Sequence, residues 1–259
     1  MDLGIRGKWA IVCASSKGLG RGCAEALAAE GVNLVMNART PGPLEAAAAA
    51  VRAAHGVEVV PVAADITTEA GRAEVLAACP APDILVTNAG GPPPGMWHEW
   101  NREDFIRAID ANMLTPIALM QATLPKMIGK GWGRVVNITS VSVKAPIPVL
   151  GLSNAARAGL TGFVAGVARQ VAKDGVIINN LLPGIHDTDR AKALDANAAQ
   201  ASGRSIEAVR RAREDSIPAG RYGTPEEFGA ICAFLCSQHV GFVVGQNILV
   251  DGGAANISI

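Results

Sequence analysis

Tyrosine occurs once in this sequence, at position 222, and aromatic side chains make up only 4% of its 259 residues. Any chemistry that needs a phenol must use Tyr222 or proceed without one. There is no excess charge of either sign. The 23 basic and 23 acidic residues cancel, which excludes a general electrostatic attraction to nucleic acid or to an anionic membrane surface. No apolar run reaches the roughly 18 residues a membrane helix requires, and the start "MDLGIRGKWAIVCASS" has no apolar stretch behind a basic segment. A cytoplasmic protein with no nucleic-acid or membrane partner is expected. Cysteine is present at 13, 23, 79, 232 and 236, but no C-x-x-C pair, disulfide framework or zinc-type Cys/His spacing appears. The thiols are expected to be reduced and buried, and no metal site is expected.

What is abundant is aliphatic sequence. A 49% hydrophobic content in a chain of this length suits one large domain, taken as residues 1–259. Short β-branched runs, "WAIVC", "NLVMN", "VEVVPVAA", "DILVTN", "RVVNIT", "VIINNLL" and "NILV", alternate with longer Ala-rich segments. Continuous apolar strands separated by helical lengths predict a seven-stranded parallel sheet with helices on both faces, a doubly wound α/β Rossmann fold. Long helices are expected over residues 102–128 and 153–173, the second capped by Ser153 or Asn154, and another begins near Thr224. Residues 185–222 interrupt the alternation with charged and small residues, and a connection of that length reads as a substrate lid.

Directly after the first strand stands "CASSKGLGRGCAEALAAEG", in which Gly18 and Gly20 open a helix. Backbone N–H groups at such a turn, with the positive end of the helix dipole, suit a pyrophosphate. The strand before and the helix after supply the context this motif requires. From these residues onward the chain resembles the short-chain dehydrogenase/reductases along essentially its whole length, in the manner of the 3-oxoacyl-carrier-protein reductases. The family motif T-G-x-x-x-G-x-G falls on Cys13, Ala14, Gly18 and Gly20, with its first two positions substituted. The resemblance implies a nicotinamide cofactor held by Ser15, Lys17, Gly18, Leu19 and Gly20. It places Asp65 of "AADIT" at the adenine, Asn88-Ala89-Gly90 at the N-A-G turn, Pro183-Gly184 after the sixth strand and Thr188 at the carboxamide. In "MNART", Ala38 stands where an acid would bind the ribose 2′-hydroxyl, and Arg39 follows. With Lys17, Arg39 favours NADP(H) over NAD(H).

Members of this family use an Asn, a Ser, and a Tyr and Lys four residues apart. The Asn falls on Asn112 and the Ser on Ser140; thirteen residues on from Ser140 stands Ser153, with Arg157 at the Lys position. Neither member of the Tyr/Lys pair is kept. A serine hydroxyl is a poor acid without a neighbouring base, and it ends about 4 Å short of a phenol's reach. Arg157 can bind ribose or polarise an oxygen, but it stays protonated. His186 in "PGIHDTD" is a candidate proton donor, as are His98, Lys144 and a water held by Asn112 and Ser140.

The expected function is an NADP(H)-dependent oxidoreductase acting on a small carbonyl compound or secondary alcohol, with a non-standard proton donor. A non-redox NADP(H) sensor, or a lyase or isomerase reusing the cleft, are the alternatives. Met96, Trp97, Trp100, Val149 and Leu150 are expected as largely apolar walls, which suits a hydrophobic substrate. The resemblance also implies a homo-oligomer, a tetramer or dimer.

Overall fold

The computed structural model describes residues 1–257. Seven strands form one sheet: β1 (Trp9–Val12), β2 (Asn33–Ala38), β3 (Val59–Ala63), β4 (Ile84–Thr87), β5 (Gly133–Ile138), β6 (Val176–Pro183) and β7 (Asn247–Val250). Every neighbouring pair is parallel, in the order β3-β2-β1-β4-β5-β6-β7. The runs that lack alternation are buried on both sides, as in β5, where all six residues are enclosed. The order reverses between β1 and β4, and a crevice opens there beyond the carboxyl ends of the strands.

Nine α-helices occur among the described residues: α1 (Gly18–Ala29), α2 (Pro41–His55), α3 (Glu69–Ala78), α4 (Arg102–Ile109), α5 (Thr115–Lys130), α6 (Gly151–Val171), α7 (Asp189–Ser202), α8 (Ile206–Asp215) and α9 (Pro225–Leu235). Alternate strand residues feed two cores. Ala10 and Val12 pack with Leu27, Leu44 and Phe228 of α1, α2 and α9. Ile11 and Leu85 pack on the other face with Val75, Leu119 and Leu160 of α3, α5 and α6. Helices α1 and α9 cross in backbone contact: a Cβ on Gly22 would lie 2.1 Å from the Pro225 carbonyl oxygen, and one on Gly229 would lie 2.2 Å from that of Gly22.

Two sequence expectations are corrected. The helix placed at 153–173 begins at Gly151 without a side-chain cap, because the turn Pro148–Leu150 leads straight into it. Asn154 is already inside that helix and donates from Nδ2 to the Ile147 carbonyl at 2.9 Å. The helix placed at 102–128 is interrupted: after α4, residues Asp110–Leu114 widen into a π-helical turn before α5 resumes. Residues 185–222 contain α7 and α8, and Thr224 caps α9 by accepting from the Glu227 N–H at 3.2 Å. All five cysteines are unpaired and buried; burial pushes the Cys13 thiol up to about 12. No helix among the described residues is long and apolar enough to cross a membrane.

Candidate active site

The glycine turn lies at the end of β1. Ala14 adopts φ +48°, a left-handed conformation that costs a residue with a Cβ about 1–2 kcal/mol, which explains why a glycine suits this position in the family motif. Gly18 is also left-handed, at φ +58°, and a Cβ there would lie 3.5 Å from Thr188 Cγ2. A Cβ on Gly20 would lie 2.3 Å from the Ala14 carbonyl oxygen and 2.9 Å from Asn88 Nδ2, so only glycine allows α1 to start this close to the turn. Ser15 is fully enclosed and spends its hydroxyl proton on the Val12 carbonyl at 2.9 Å, supporting the turn from within. Leu19 packs against the core beside it.

The remaining cofactor candidates line the same edge. Lys17 pairs with Asp189 at 3.2 Å, an exposed contact worth about 0–1 kcal/mol and easily exchanged. Arg39 is exposed beyond β2. Asp65 accepts from the Thr67 N–H at 3.0 Å and the Thr67 hydroxyl at 2.8 Å; these bonds, with Arg39 nearby, hold its carboxyl below the usual range. A Cβ on Gly90, at the end of Asn88-Ala89-Gly90, would project into open space. Pro183 closes β6, and Gly184 donates to the Val250 carbonyl at 2.9 Å. Thr188 caps α7, accepting from the Ala191 N–H at 3.3 Å, which sets its methyl over Gly18. A glycine turn opening a helix, an exposed cation beyond β2 and the open space at Gly90 fit a phosphorylated dinucleotide.

Three of the four positions that the resemblance marks as catalytic lie where β5 ends, and the fourth, Asn112, is on the π-helical turn that packs against α6. Ser153 and Arg157 are buried on α6, and the Arg157 Nε–H donates to Ser153 Oγ at 3.2 Å. Arg157 Nη1 donates to the Ile138 carbonyl, the last residue of β5, at 2.8 Å. This ties α6 to the strand that carries Ser140 two residues on. Ser140 Oγ accepts from the Ser142 N–H at 3.1 Å. Both serine oxygens therefore receive an N–H, and both hydroxyl protons remain free to donate. Burial and the charge of Arg190 bring the Arg157 guanidinium down to about 10, so it is still a cation at neutral pH. Asn112 sits in the π-helical turn; its Nδ2 donates to the Ala108 carbonyl at 3.3 Å, and its buried Oδ1 has no partner among the described residues. Widened turns of this kind often mark functional sites.

A cavity of about 420 Å³ opens beside them, between Gly90, Pro92, Trp100, Asn112 and Leu152. Its walls are less apolar than the sequence implied. Trp100 lines it, but Met96 is 49% and Trp97 79% exposed, and Glu99, Asp104 and Arg107 stand at its mouth. His98 is exposed, edge-on to Trp97 at 5.3 Å.

His186 does not line that cavity. Its backbone bridges to Gly223, its ring stands edge-on to Phe228 at 5.2 Å, and its Nδ1 lies 3.3 Å from the Gly184 carbonyl oxygen. It borders a second cavity, with Arg221 and Glu227, and burial holds its pKa below the ordinary histidine value. Tyr222 is also turned away. Its hydroxyl donates to both carboxylate oxygens of buried Asp195, at 3.0 and 3.2 Å, and Arg213 pairs with the same carboxylate. The phenol locks residues 185–222 together.

Sequence reasoning missed Arg190 on α7, whose guanidinium donates to the carbonyls of Gly91 at 2.9 Å and Pro92 at 3.2 Å. Only its place two residues after Thr188 hinted at such a role.

A family model described as enoyl-(acyl carrier protein) reductase matches residues 13–255. The 3-oxoacyl-[acyl-carrier-protein] reductase of Vibrio harveyi is 33% identical over 258 residues, covering 97% of this chain and 98% of that relative. The chain belongs to the short-chain dehydrogenase/reductase family. The corresponding reductase of Aquifex aeolicus is 30% identical over 259 residues, covering 98% of this chain and 99% of its own. Among solved structures, L-sorbose reductase from Gluconobacter frateurii, complexed with NADPH and L-sorbose, superposes with a TM-score of 0.94 at 29% identity over all of both chains. YwfH, an NADPH-dependent reductase of bacilysin biosynthesis, gives 0.91 at 26% identity, covering 97% of this chain and 99% of its own.

Proposed function

We propose that this family member is an NADP(H)-dependent oxidoreductase acting on a carbonyl or secondary alcohol without a side-chain phenol. The observation that carries this reading is the fixed Arg157 guanidinium, held by Ser153 Oγ and by the carbonyl of Ile138, two residues before Ser140. Reduction of a carbonyl builds negative charge on its oxygen. A preorganised cation in a water-poor site stabilises that charge more effectively than the same group in bulk water. Ser140 and Ser153 have hydroxyl protons to point at the oxygen, and neither is acidic enough to give its proton up. The proton then comes from solvent after, or as, the charge forms. Bound NADPH would supply the hydride.

Arg39 and Lys17, with Ala38 in place of an acid, support selection of a 2′-phosphate over a 2′-hydroxyl. Residues 185–222 act as a lid in this reading, hinged after Gly184 and fastened by Arg190 to the Gly91–Pro92 carbonyls. His186, bordering the second cavity, supports the lid's base and takes no part in proton transfer. We place self-association on α4 to α6; light scattering that finds only monomer at micromolar concentration contradicts that placement.

The test is transfer of deuterium from [4-²H]NADPH to a panel of small ketones, read by mass spectrometry. Label in the product, and its loss in Arg157→Met, are expected. Tight NADPH binding with no label in any product would favour the sensor reading, which rests on the same Ser/Arg replacement.

A further inference from the structure

We propose that the second cavity is a binding site for a small neutral molecule with an apolar body and one hydroxyl donor, a phenol-like compound received by Nε2 of His186. Ser140, Ser153, Arg157 and Asn112 do not line this cavity, so the proposal stands apart from the redox chemistry above.

The space is that of a ligand pocket. It measures about 420 Å³, within the range of about 300–1,000 Å³ that such pockets occupy. A single water claims only about 30 Å³. Ile185, Ala219, Ala230, Ile231 and Val250 form most of the wall, and Ile185 and Ile231 keep exposed apolar surface for an occupant to cover.

One polar atom faces that space without a partner. His186 is 5% exposed, with Phe228 edge-on to its ring at 5.2 Å and the Gly184 carbonyl oxygen 3.3 Å from Nδ1. The Cδ2–Nε2 edge looks toward Gly223, where a Cβ would lie 2.7 Å from Cδ2 and 2.8 Å from Nε2. Gly223 is itself part of the cavity wall, so the missing side chain keeps this edge clear. Nε2 has no partner among the described residues and is not among the fully enclosed unpartnered atoms. A carbonyl only accepts, which assigns the ring proton to Nδ1. In the neutral imidazole Nε2 is then an acceptor, and the ligand must bring the donor. Burial, which lowers the His186 pKa, keeps the ring neutral at pH 7.

The charges at the rim are already engaged. Arg221 donates to both carboxylate oxygens of Glu227, which also accepts from the Thr224 N–H. Asp251 accepts from the Gly253 and Ala255 N–H groups at 3.0 and 2.9 Å. An ionic ligand finds no unengaged opposite charge here, which leaves a neutral one. Ile185 and His186 begin residues 185–222, Ala219 and Arg221 end them, and the bridge from His186 to Gly223 joins the two ends. An occupant would brace both ends of the lid, the position of an effector rather than a substrate.

Phenol and toluene share a shape and differ in the donor. Each is titrated into the ¹⁵N-labelled protein with NADP⁺ present to fill the nucleotide cleft, and the His186 ring nitrogens are followed by NMR. Phenol is expected to bind and to move the Nε2 resonance upfield, as when such a nitrogen accepts a hydrogen bond. In His186→Phe the ratio of phenol to toluene affinity should fall about three- to tenfold, the worth of one neutral hydrogen bond. Ala230→Trp, at an exposed position of the wall, should abolish binding of both with NADP⁺ affinity unchanged. Absence of phenol binding, binding that leaves Nε2 unmoved, an unchanged ratio in His186→Phe, or binding undisturbed by Ala230→Trp each overturns the proposal. So does phenol binding seen only on dilution to monomer, because a second copy of the chain then covers this face.

Discussion

The Nε–H of Arg157 donates to the hydroxyl oxygen of Ser153 at 3.2 Å, one turn earlier on the same buried face of α6. In the proposed reading, where these residues stand at the family's Tyr and Lys positions, this contact makes one unit of two substitutions. The guanidinium is a fork that holds the strand carbonyl and the serine together. On that reading the pair keeps positive charge at the site and gives up the phenolic acid.

The pH dependence follows from that exchange. Activity that relies on the Arg157 cation should be level through neutral pH and fall as pH rises through about 10, where the guanidinium loses its proton. An inflection below pH 6.5 that vanishes in His186→Phe would return the role of donor to His186.

His186 also links to stability. Burial lowers its folded pKa beneath the unfolded value near 6.5, so on acidification the unfolded chain takes up the proton first. The contribution of neutral His186 is present above that value and is lost as pH falls through it. NMR titration should show its imidazole protonating below 6.5, and protonation above 6.5 would contradict its placement against Phe228.

Ala14 offers a test of the nucleotide turn. Its φ of +48° is strained for alanine, and Ala14→Gly removes about 1–2 kcal/mol of left-handed cost while adding about 0.4–1 kcal/mol of unfolded-chain entropy. A net gain of up to about 1.6 kcal/mol in denaturant unfolding is expected. A loss would mean that the Ala14 methyl packs usefully in the turn.

Cofactor choice should reside in Arg39. NADPH is expected to bind at least about tenfold more tightly than NADH, the factor of one ion pair with a 2′-phosphate, and Arg39→Ala should reduce that ratio. Titration by intrinsic fluorescence checks both, and equal affinities in the wild type would contradict the assignment.

The sheet was legible because parallel strands buried on both faces must be continuously apolar, as "RVVNIT" is, and because Gly18 and Gly20 have a strand on one side and a helix on the other. What could not be read was set by contacts distant in sequence. Asn112 was placed on a continuous helix because a single added residue in the turn leaves the apolar spacing almost unchanged. The direction of the His186 ring depends on Phe228 and Gly223, and the fate of Tyr222 on Asp195. Arg190 looked like one charge in a polar lid, and its meaning comes from the carbonyls of Gly91 and Pro92, about a hundred residues away.

The most direct test of the account is NADPH-dependent reduction of activated ketones by the wild type and by Ser153→Tyr with Arg157→Lys. If the site is a reductase centre that stabilises charge but lacks an acid, restoring phenol and ammonium together should raise the rate by about 10²- to 10⁴-fold, the usual worth of general acid catalysis. Arg157→Lys alone should not raise it, because the ammonium has no phenol to tune. A double variant that folds and binds NADPH normally, yet reduces ketones no faster than the wild type, would contradict the claim that only the acid is missing.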